Sequence, residues 1–370
     1  MATTAQILVI FTGGVIGSRQ GPDYTLELTP ETSKDLLNRY ERSHGGEVSF
    51  VTSSPFFTLS ENLVPENWHQ LLKAIKEHDP KTLSGIIIAH GTDTMAYTAA
   101  AMAMTLSGLS IPVVLTGANY PTDDRRSNGY RNFCNAVDFI RDPAAPRQGT
   151  FVVYENNGDR RCLVHLGSRV VTSASFSNEF DSLGGVHYGE MLNRKFQRLP
   201  DRVNPSNIEF KELTGPGLGT KAPKFSPDIL LLTPFPGLNY TYYDALIKEK
   251  KPKAVLHRLF HSGAACSPGK AGPHSLPHFT KHCLKAGIPV YTCPSREKLM
   301  VEKFITNLPL LEAGIRPLEN ITPETALIKL MLAYGNLKDA DAIEAFLLND
   351  VQFEYMDFRR SGYGRQRRKS

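Results

Sequence analysis

The sequence predicts an α/β protein of two domains, the larger one built on a mostly parallel sheet. Three observations predict it. Short apolar runs alternate with helical stretches, the pattern of strands joined by crossover helices. At roughly 150 residues per domain, a chain of 370 residues divides into two. Pro200, Pro205, Pro216, Pro223 and Pro227, with three glycines, punctuate residues 196–227 and separate a longer first part from a shorter second. The expected organisation is an N-terminal domain over 1–200, a linker over 201–227, a smaller α/β domain over 228–345, and a C-terminal extension with a basic tail over 346–370.

Taken in order, residues 7–11 read as the first strand, and Gly13 and Gly14 after it permit a tight turn where a side chain would clash. Residues 86–89 form a second strand. Residues 94–106, rich in Ala and Met with few breakers, read as a helix. Residues 112–116 are a strand, 117–124 a loop, 132–140 a helix and 150–154 a strand. In the second part, 229–233, 254–256 and 289–292 read as strands. Thr322, Pro323 and Glu324 open a helix: Thr is a good N-cap, Pro suits the first helical position, and Glu complements the helix dipole. Leu327, Leu330 and Met331 then share one face of it.

Hydrophobic residues make up 41 % of the chain, enough for a sizeable core. No apolar run is long enough to cross a bilayer, and residues 1–6 lack the basic-then-apolar layout of a signal peptide, so a cytoplasmic protein without membrane association is expected. The five cysteines, Cys134, Cys162, Cys266, Cys283 and Cys293, are odd in number and irregular in spacing, which argues against a disulfide framework. No C-x-x-C or H-E-x-x-H pairing occurs, so no metal site is expected. The net charge of +5 rests on the last twelve residues, where Arg359, Arg360, Arg365, Arg367, Arg368 and Lys369 lie; without these six the balance is −1. The body is therefore not expected to bind nucleic acid, and the tail reads as a solvated basic end.

Open α/β sheets bind ligands beyond the carboxyl ends of their strands. That singles out the loops of residues 12–17 and 90–94. The second, His90-Gly91-Thr92-Asp93-Thr94, lies between a buried strand and a helix. Amides at the helix N-terminus suit a carboxylate, and Asp93 beside Thr92 offers an acceptor to an ammonium group. Together they describe a site for a small amino acid in its zwitterionic form. The alternative is that Thr92 and Asp93 only cap the helix. In the first loop G-x-G-x-x-G does not occur, which argues against a dinucleotide.

Several segments resemble the bacterial-type asparaginase/glutaminase family. Ile7-Leu8-Val9-Ile10-Phe11-Thr12-Gly13-Gly14 followed by Ile16-Gly17 is similar to its first signature, and His90-Gly91-Thr92-Asp93-Thr94-Met95 to its second. Ser60-Glu61-Asn62 through Trp68, then residues 113–118 with Pro121, Asn128 and Asn132, and finally residues 314–317 and 322–330, resemble further stretches, so the likeness spans about residues 5–336. It implies a flavodoxin-like N-terminal sheet plus a smaller C-terminal α/β domain, and sites completed by a second subunit in a homodimer or homotetramer. It also implies cofactor-free hydrolysis of a side-chain amide of Asn or Gln type, through attack by a threonine hydroxyl. Residue by residue, the resemblance puts substrate contacts on Gly14, Tyr24, Ser60, Glu61, Thr92 and Asp93.

Three positions depart from the family pattern. The nucleophile position is Val15, nearly isosteric with threonine but without an oxygen. The lysine of the second triad has no counterpart in residues 160–169, where His165 and Arg169 are the nearest candidates. The partner-subunit asparagine after Ser262-Gly263 is Ala264 or Ala265. The expected function is therefore an asparaginase-like amidohydrolase with an altered nucleophile: Thr92 attacking, Asp93 orienting and His165 as base. The alternatives are a threonine-to-valine replacement introduced at residue 15, a degenerate homologue that binds a small amino acid or a protein partner, and a different reaction on a modified amide or lactam.

Overall fold

The computed structural model describes residues 5–21, 26–28, 30–158, 160–215, 217–218, 222–268, 272–295 and 308–358. These fall into two compact units. The first holds the described residues up to 215 with 351–353 and 358; the second holds those from 217 to 350 with 354–357.

The first unit runs through β1 (Ala5–Phe11), β2 (Ser18–Gln20), β3 (Leu26–Leu28), α1 (Pro30–His44), β4 (Val48–Ser53), α2 (Pro65–Lys76), β5 (Gly85–Ala89), α3 (Met95–Thr105), β6 (Pro112–Thr116), α4 (Gly129–Arg141), β7 (Gly149–Glu155), β8 (Cys162–Leu166), β9 (Val170–Val171), β10 (Asp181–Ser182), β11 (Gly189–Leu192), β12 (Lys195–Arg198) and α5 (Asn207–Lys211). Its main sheet has the order β12-β11-β8-β7-β6-β5-β1-β4. From β4 to β7 the pairing is parallel, and β8, β11 and β12 join antiparallel. By chain order the five parallel strands read 2-1-3-4-5, the flavodoxin-like arrangement, whose switch point lies between β1 and β5.

Register decides which loops share an edge. Phe11 pairs with Ala89, and Ala89 with Thr116, so β1, β5 and β6 end level and their following loops emerge together. These strands are apolar on both faces because both are covered. Ile7, Val9, Phe11, Ile87, Val114, Phe151 and Val153 pack with Leu36 and Tyr40 of α1 and Phe133 and Val137 of α4. On the other face α3 packs against β6 and β7, and the Trp68 indole of α2 donates to Thr98 Oγ1 of α3 at 3.1 Å.

The antiparallel extension is a feature that the sequence pattern does not announce. The turn between β11 and β12 uses Asn193 and Arg194, both at positive φ (50° and 67°), without the glycine that usually marks a two-residue hairpin. The stretch expected to be a linker also divides. Residues 201–215 belong to the first unit, where Ser206 and Glu209 cap α5 reciprocally and Phe210 is buried. Proline and glycine punctuate this stretch, but a capped helix and an aromatic anchor hold part of it against the core. Residues 351–353, expected in a separate extension, also pack with the first unit. The Thr150 N–H donates to Gln352 Oε1, the Ser168 hydroxyl to Gln352 O, and the Phe353 ring lies edge-on to Phe210.

The second unit contains β13 (Ile229–Leu232), β14 (Ala254–Arg258), α6 (Leu276–Lys285), β15 (Val290–Ser295), α7 (Leu308–Glu312), β16 (Arg316–Glu319), α8 (Pro323–Asn336) and α9 (Ala340–Leu348). Its four strands pair in parallel in the order β13-β14-β15-β16. Val255, Val290, Leu276, Phe279 and Leu310 centre its core. Thr322 caps α8 by accepting from the Thr325 N–H at 3.2 Å, with Pro323 in the first turn. Among the described residues no helix is long and apolar enough to cross a membrane.

Candidate functional site

The candidate site residues gather where β1 and β5 leave the sheet. Thr12 is tied to β5 twice, its N–H and its hydroxyl both donating to Ala89 O at 3.1 and 3.0 Å. Thr58 N–H donates to Thr12 O, and Gly14 N–H to Thr58 O, each at 3.0 Å. The turn at Gly13 and Gly14 is therefore clamped between β5 and residue 58. Both glycines lie at positive φ (102° and 71°), and a Cβ on Gly14 would stand 2.4 Å from the Cα and N of Gly91. Glycine is needed on both counts: backbone conformation and close approach.

Val15 and Thr92 each follow one of these touching glycines. With 3.8 Å between consecutive Cα atoms, their own Cα atoms lie within about 12 Å of each other. Val15 opens a one-turn 3₁₀ helix, is half-buried and packs against the apolar core. Its side chain is apolar packing at the position where the resemblance puts a nucleophile.

Ser60 closes the other side. A Cβ on Gly91 would stand 2.5 Å from Ser60 Oγ, so this hydroxyl lies directly on the Gly91 backbone. It is buried, 3 % exposed, and makes no hydrogen bond to another described residue. A buried hydroxyl without a partner costs roughly 1–3 kcal/mol, so such a group points to a ligand or solvent partner. Thr94 holds it in place, its hydroxyl donating to Ser60 O at 2.9 Å. Glu61 follows on the exposed side of the same one-turn helix.

The capping alternative for Thr92 and Asp93 does not describe α3. The residue at its N-cap is Thr94, whose side chain makes no capping bond, and no acidic residue lies in the first turn. Thr92 is half-buried with its Cγ2 methyl toward Gly117, and its hydroxyl makes no hydrogen bond to another described residue. Asp93 is exposed. The 117–128 loop beside them is fixed by amides. Asn119 and Asn128 exchange backbone-to-side-chain bonds at 2.9 Å, Asn132 Nδ2 donates to Gly117 O at 2.9 Å, and Asn128 Nδ2 to Glu155 O at 2.8 Å. Thr58, through its backbone, and Thr94, through its hydroxyl, tie these loops together and are not among the site residues expected from the sequence. Thr94 belongs to the second signature, whereas nothing in the local pattern marks Thr58.

His165 is not brought to Thr92. It lies on β8, opposite Val152 of β7, three strands from β5 and so about 14 Å across the sheet. It is fully buried, with Nδ1 2.9 Å from Ser182 Oγ and its ring edge-on to His187. Burial, and then the neighbouring His187, push it down to about 3. A lone histidine on a buried strand is here a core residue, and the expectation that it serves Thr92 as base is corrected. Arg169 is also occupied: its guanidinium donates to the carbonyls of Phe353 and Val203. Tyr24 lies outside the described residues. In the second unit, the Ala264 carbonyl accepts from the Phe260 N–H at 2.9 Å and Ala265 is buried; neither methyl side chain carries an amide.

The family model described as asparaginase, N-terminal, matches residues 6–199, just over half of the chain. The chain belongs to the asparaginase family. Among its relatives, a glutamyl-tRNA(Gln) amidotransferase subunit from Saccharolobus solfataricus is 28 % identical over 353 residues, covering 94 % of this chain and 75 % of that protein. The same amidotransferase component from Sulfolobus acidocaldarius is 28 % identical over 378 residues, covering 95 % and 76 %. Two solved asparaginases share the fold. The thermostable L-asparaginase of Thermococcus kodakarensis has a TM-score of 0.75 at 24 % identity, covering 95 % of this chain and 99 % of that one. L-asparaginase I of Vibrio cholerae has 0.76 at 22 %, covering 96 % and 100 %. This member of the asparaginase family thus carries the family architecture with valine at residue 15.

Proposed function

We propose that this asparaginase-family chain binds a small amino acid of the Asn, Asp, Gln or Glu type at the crevice between β1 and β5, without releasing ammonia from it. The observation that supports this best is the Ser60 hydroxyl, buried against Gly91 with no partner among the described residues, beside a Thr92–Asp93 pair that does not cap α3. Ser60 and Thr92 offer hydroxyl contacts, the uncapped start of α3 favours a carboxylate, and Glu61 and Asp93 are acceptors for an ammonium group. Hydrolysis needs an activated nucleophile. The Val15 side chain has no oxygen, and the base expected for Thr92 lies three strands away.

A second reading, amide hydrolysis with Thr92 as nucleophile, is favoured by one observation: the Thr92 hydroxyl is uncommitted among the described residues, with its methyl turned onto Gly117. Calorimetry with the four amino acids and a coupled ammonia assay on the same samples test both readings. Binding without ammonia supports the first. Ammonia release that Thr92→Val abolishes replaces it with the second. No binding and no turnover reject both.

A further inference from the structure

We propose that His90 is a positioning residue of the ligand loop: its Nδ1–H holds the Gly91 carbonyl and so fixes the turn of the Gly91–Thr92 peptide, just past the Gly91 Cα that meets Gly14 and Ser60. This deepens the binding reading above and rests on it. His90 is 1 % exposed, and its backbone N–H donates to Thr116 O at 2.9 Å, so β6 fixes its main chain. Its ring Nδ1 lies 2.7 Å from Gly91 O. A carbonyl only accepts, so Nδ1 carries the proton and Nε2 is the bare nitrogen. Nε2 is buried and makes no hydrogen bond to another described residue.

The carbonyl held in this way belongs to the peptide that leads into Thr92. Glycine is required at residue 91, because a Cβ there would meet Ser60 Oγ at 2.5 Å and Ser60 Cβ at 2.7 Å. Glycine also leaves that peptide free to rotate, and a rotated peptide would carry Thr92 and Asp93 away from Ser60. The imidazole bond removes that freedom. Burial pushes His90 down to about 4, so the ring stays neutral and keeps one donor and one acceptor at neutral pH. A ring that only filled space under the loop would act through its volume, whichever nitrogen carried the proton.

Two substitutions separate these roles, because the Asn amide nitrogen overlays Nδ1 of histidine and the Gln amide nitrogen overlays Nε2. His90→Asn and His90→Gln are compared with the unaltered full chain by calorimetry against Asp, Asn, Glu and Gln. Amide hydrogen exchange at Thr92 and the nitrogen-15 spectrum of the wild-type imidazole are recorded alongside. The expected result is an Nδ1-protonated tautomer at neutral pH, with His90→Asn binding within about threefold of wild type. His90→Gln is expected to bind at least about tenfold more weakly, the equivalent of one lost hydrogen bond, with faster Thr92 exchange. An Nε2-protonated ring, or equal behaviour of the two variants, overturns the proposal. If the wild type binds none of the four amino acids, the ligand-site reading fails by itself, and the tautomer and the exchange rates still decide the role of His90. If neither variant folds, the wild-type tautomer decides it.

Discussion

Gly14 and Gly91 meet backbone to backbone, so closely that a methyl group on Gly14 would stand 2.4 Å from both the Cα and the N of Gly91. This contact joins the two loops of the site, and neither loop has space for a side chain there. Gly14→Ala adds a clash to a positive φ. We expect it to destabilise the chain by about 1–3 kcal/mol and to abolish ligand-induced stabilisation. Urea unfolding and thermal shift with and without aspartate at millimolar concentration check this; an unchanged urea midpoint would show that the contact is dispensable.

Ser60 carries a different expectation, because its hydroxyl is buried with no partner among the described residues. Removing an unsatisfied group relieves its desolvation cost. Ser60→Ala should therefore leave the ligand-free stability unchanged or raise it by up to about 1 kcal/mol, while weakening amino-acid binding about tenfold. Paired denaturation and calorimetry read both effects. Lower stability with unaltered binding would contradict the assignment of this hydroxyl to a ligand.

Val15→Thr places a hydroxyl at the position where the resemblance puts a nucleophile. We expect no ammonia from asparagine or glutamine, because residues 160–169 contain no lysine and His165 lies on another strand of the sheet. The half-buried site should tolerate the hydroxyl at a cost of about 1 kcal/mol or less. A coupled ammonia assay decides, and turnover in this variant would mean that valine alone silences the site.

Acid should destabilise the fold through buried neutral histidines. Burial holds His165 at about 3 and His90 and His257 at about 4, below the ordinary value of 6.5. Between 6.5 and the folded values the unfolded chain binds more protons, so stability is fully present above 6.5 and falls as the pH drops toward 3. Each group contributes a slope of up to about 1.4 kcal/mol per pH unit in that window. His165→Gln should flatten the curve by one proton's worth, measured by urea unfolding from about pH 7 to about pH 4. An identical slope in the variant would rule out His165 as a contributor.

The second unit offers a test independent of ligand. Lys329 Nζ lies 2.6 Å from Glu354 Oε1, with both side chains at most 1 % exposed, and also donates to Asn349 O. Glu354→Gln removes the charge that compensates a buried ammonium and should cost about 3–5 kcal/mol. Replacing both residues with apolar ones should cost less. Chemical denaturation of the single and double variants measures this.

Much of the strand order's raw material was legible in the sequence. Apolar runs buried on both faces announce parallel strands, and β1, β5, β6 and β7 lie within a residue or two of where the pattern put them. The helix at residue 322 was legible because Thr, Pro and Glu each satisfy a local requirement of a helix start. The antiparallel extension was not, because the hairpin of β11 and β12 turns on Asn193 and Arg194, which carry no strong local signal.

By itself the sequence determined the chemistry available at the site: an oxygen-free side chain at residue 15, hydroxyls at 60 and 92, carboxylates at 61 and 93, and glycines where backbones must touch. Only the tertiary structure decided which of these meet. Strand register brings Gly14 to Gly91 and Gly91 to Ser60, and the same register leaves His165 three strands away. The physical reason is that residue type is a local property, whereas a shared site depends on pairing between segments distant in sequence, set by hydrogen-bond registers that no short stretch of chain encodes.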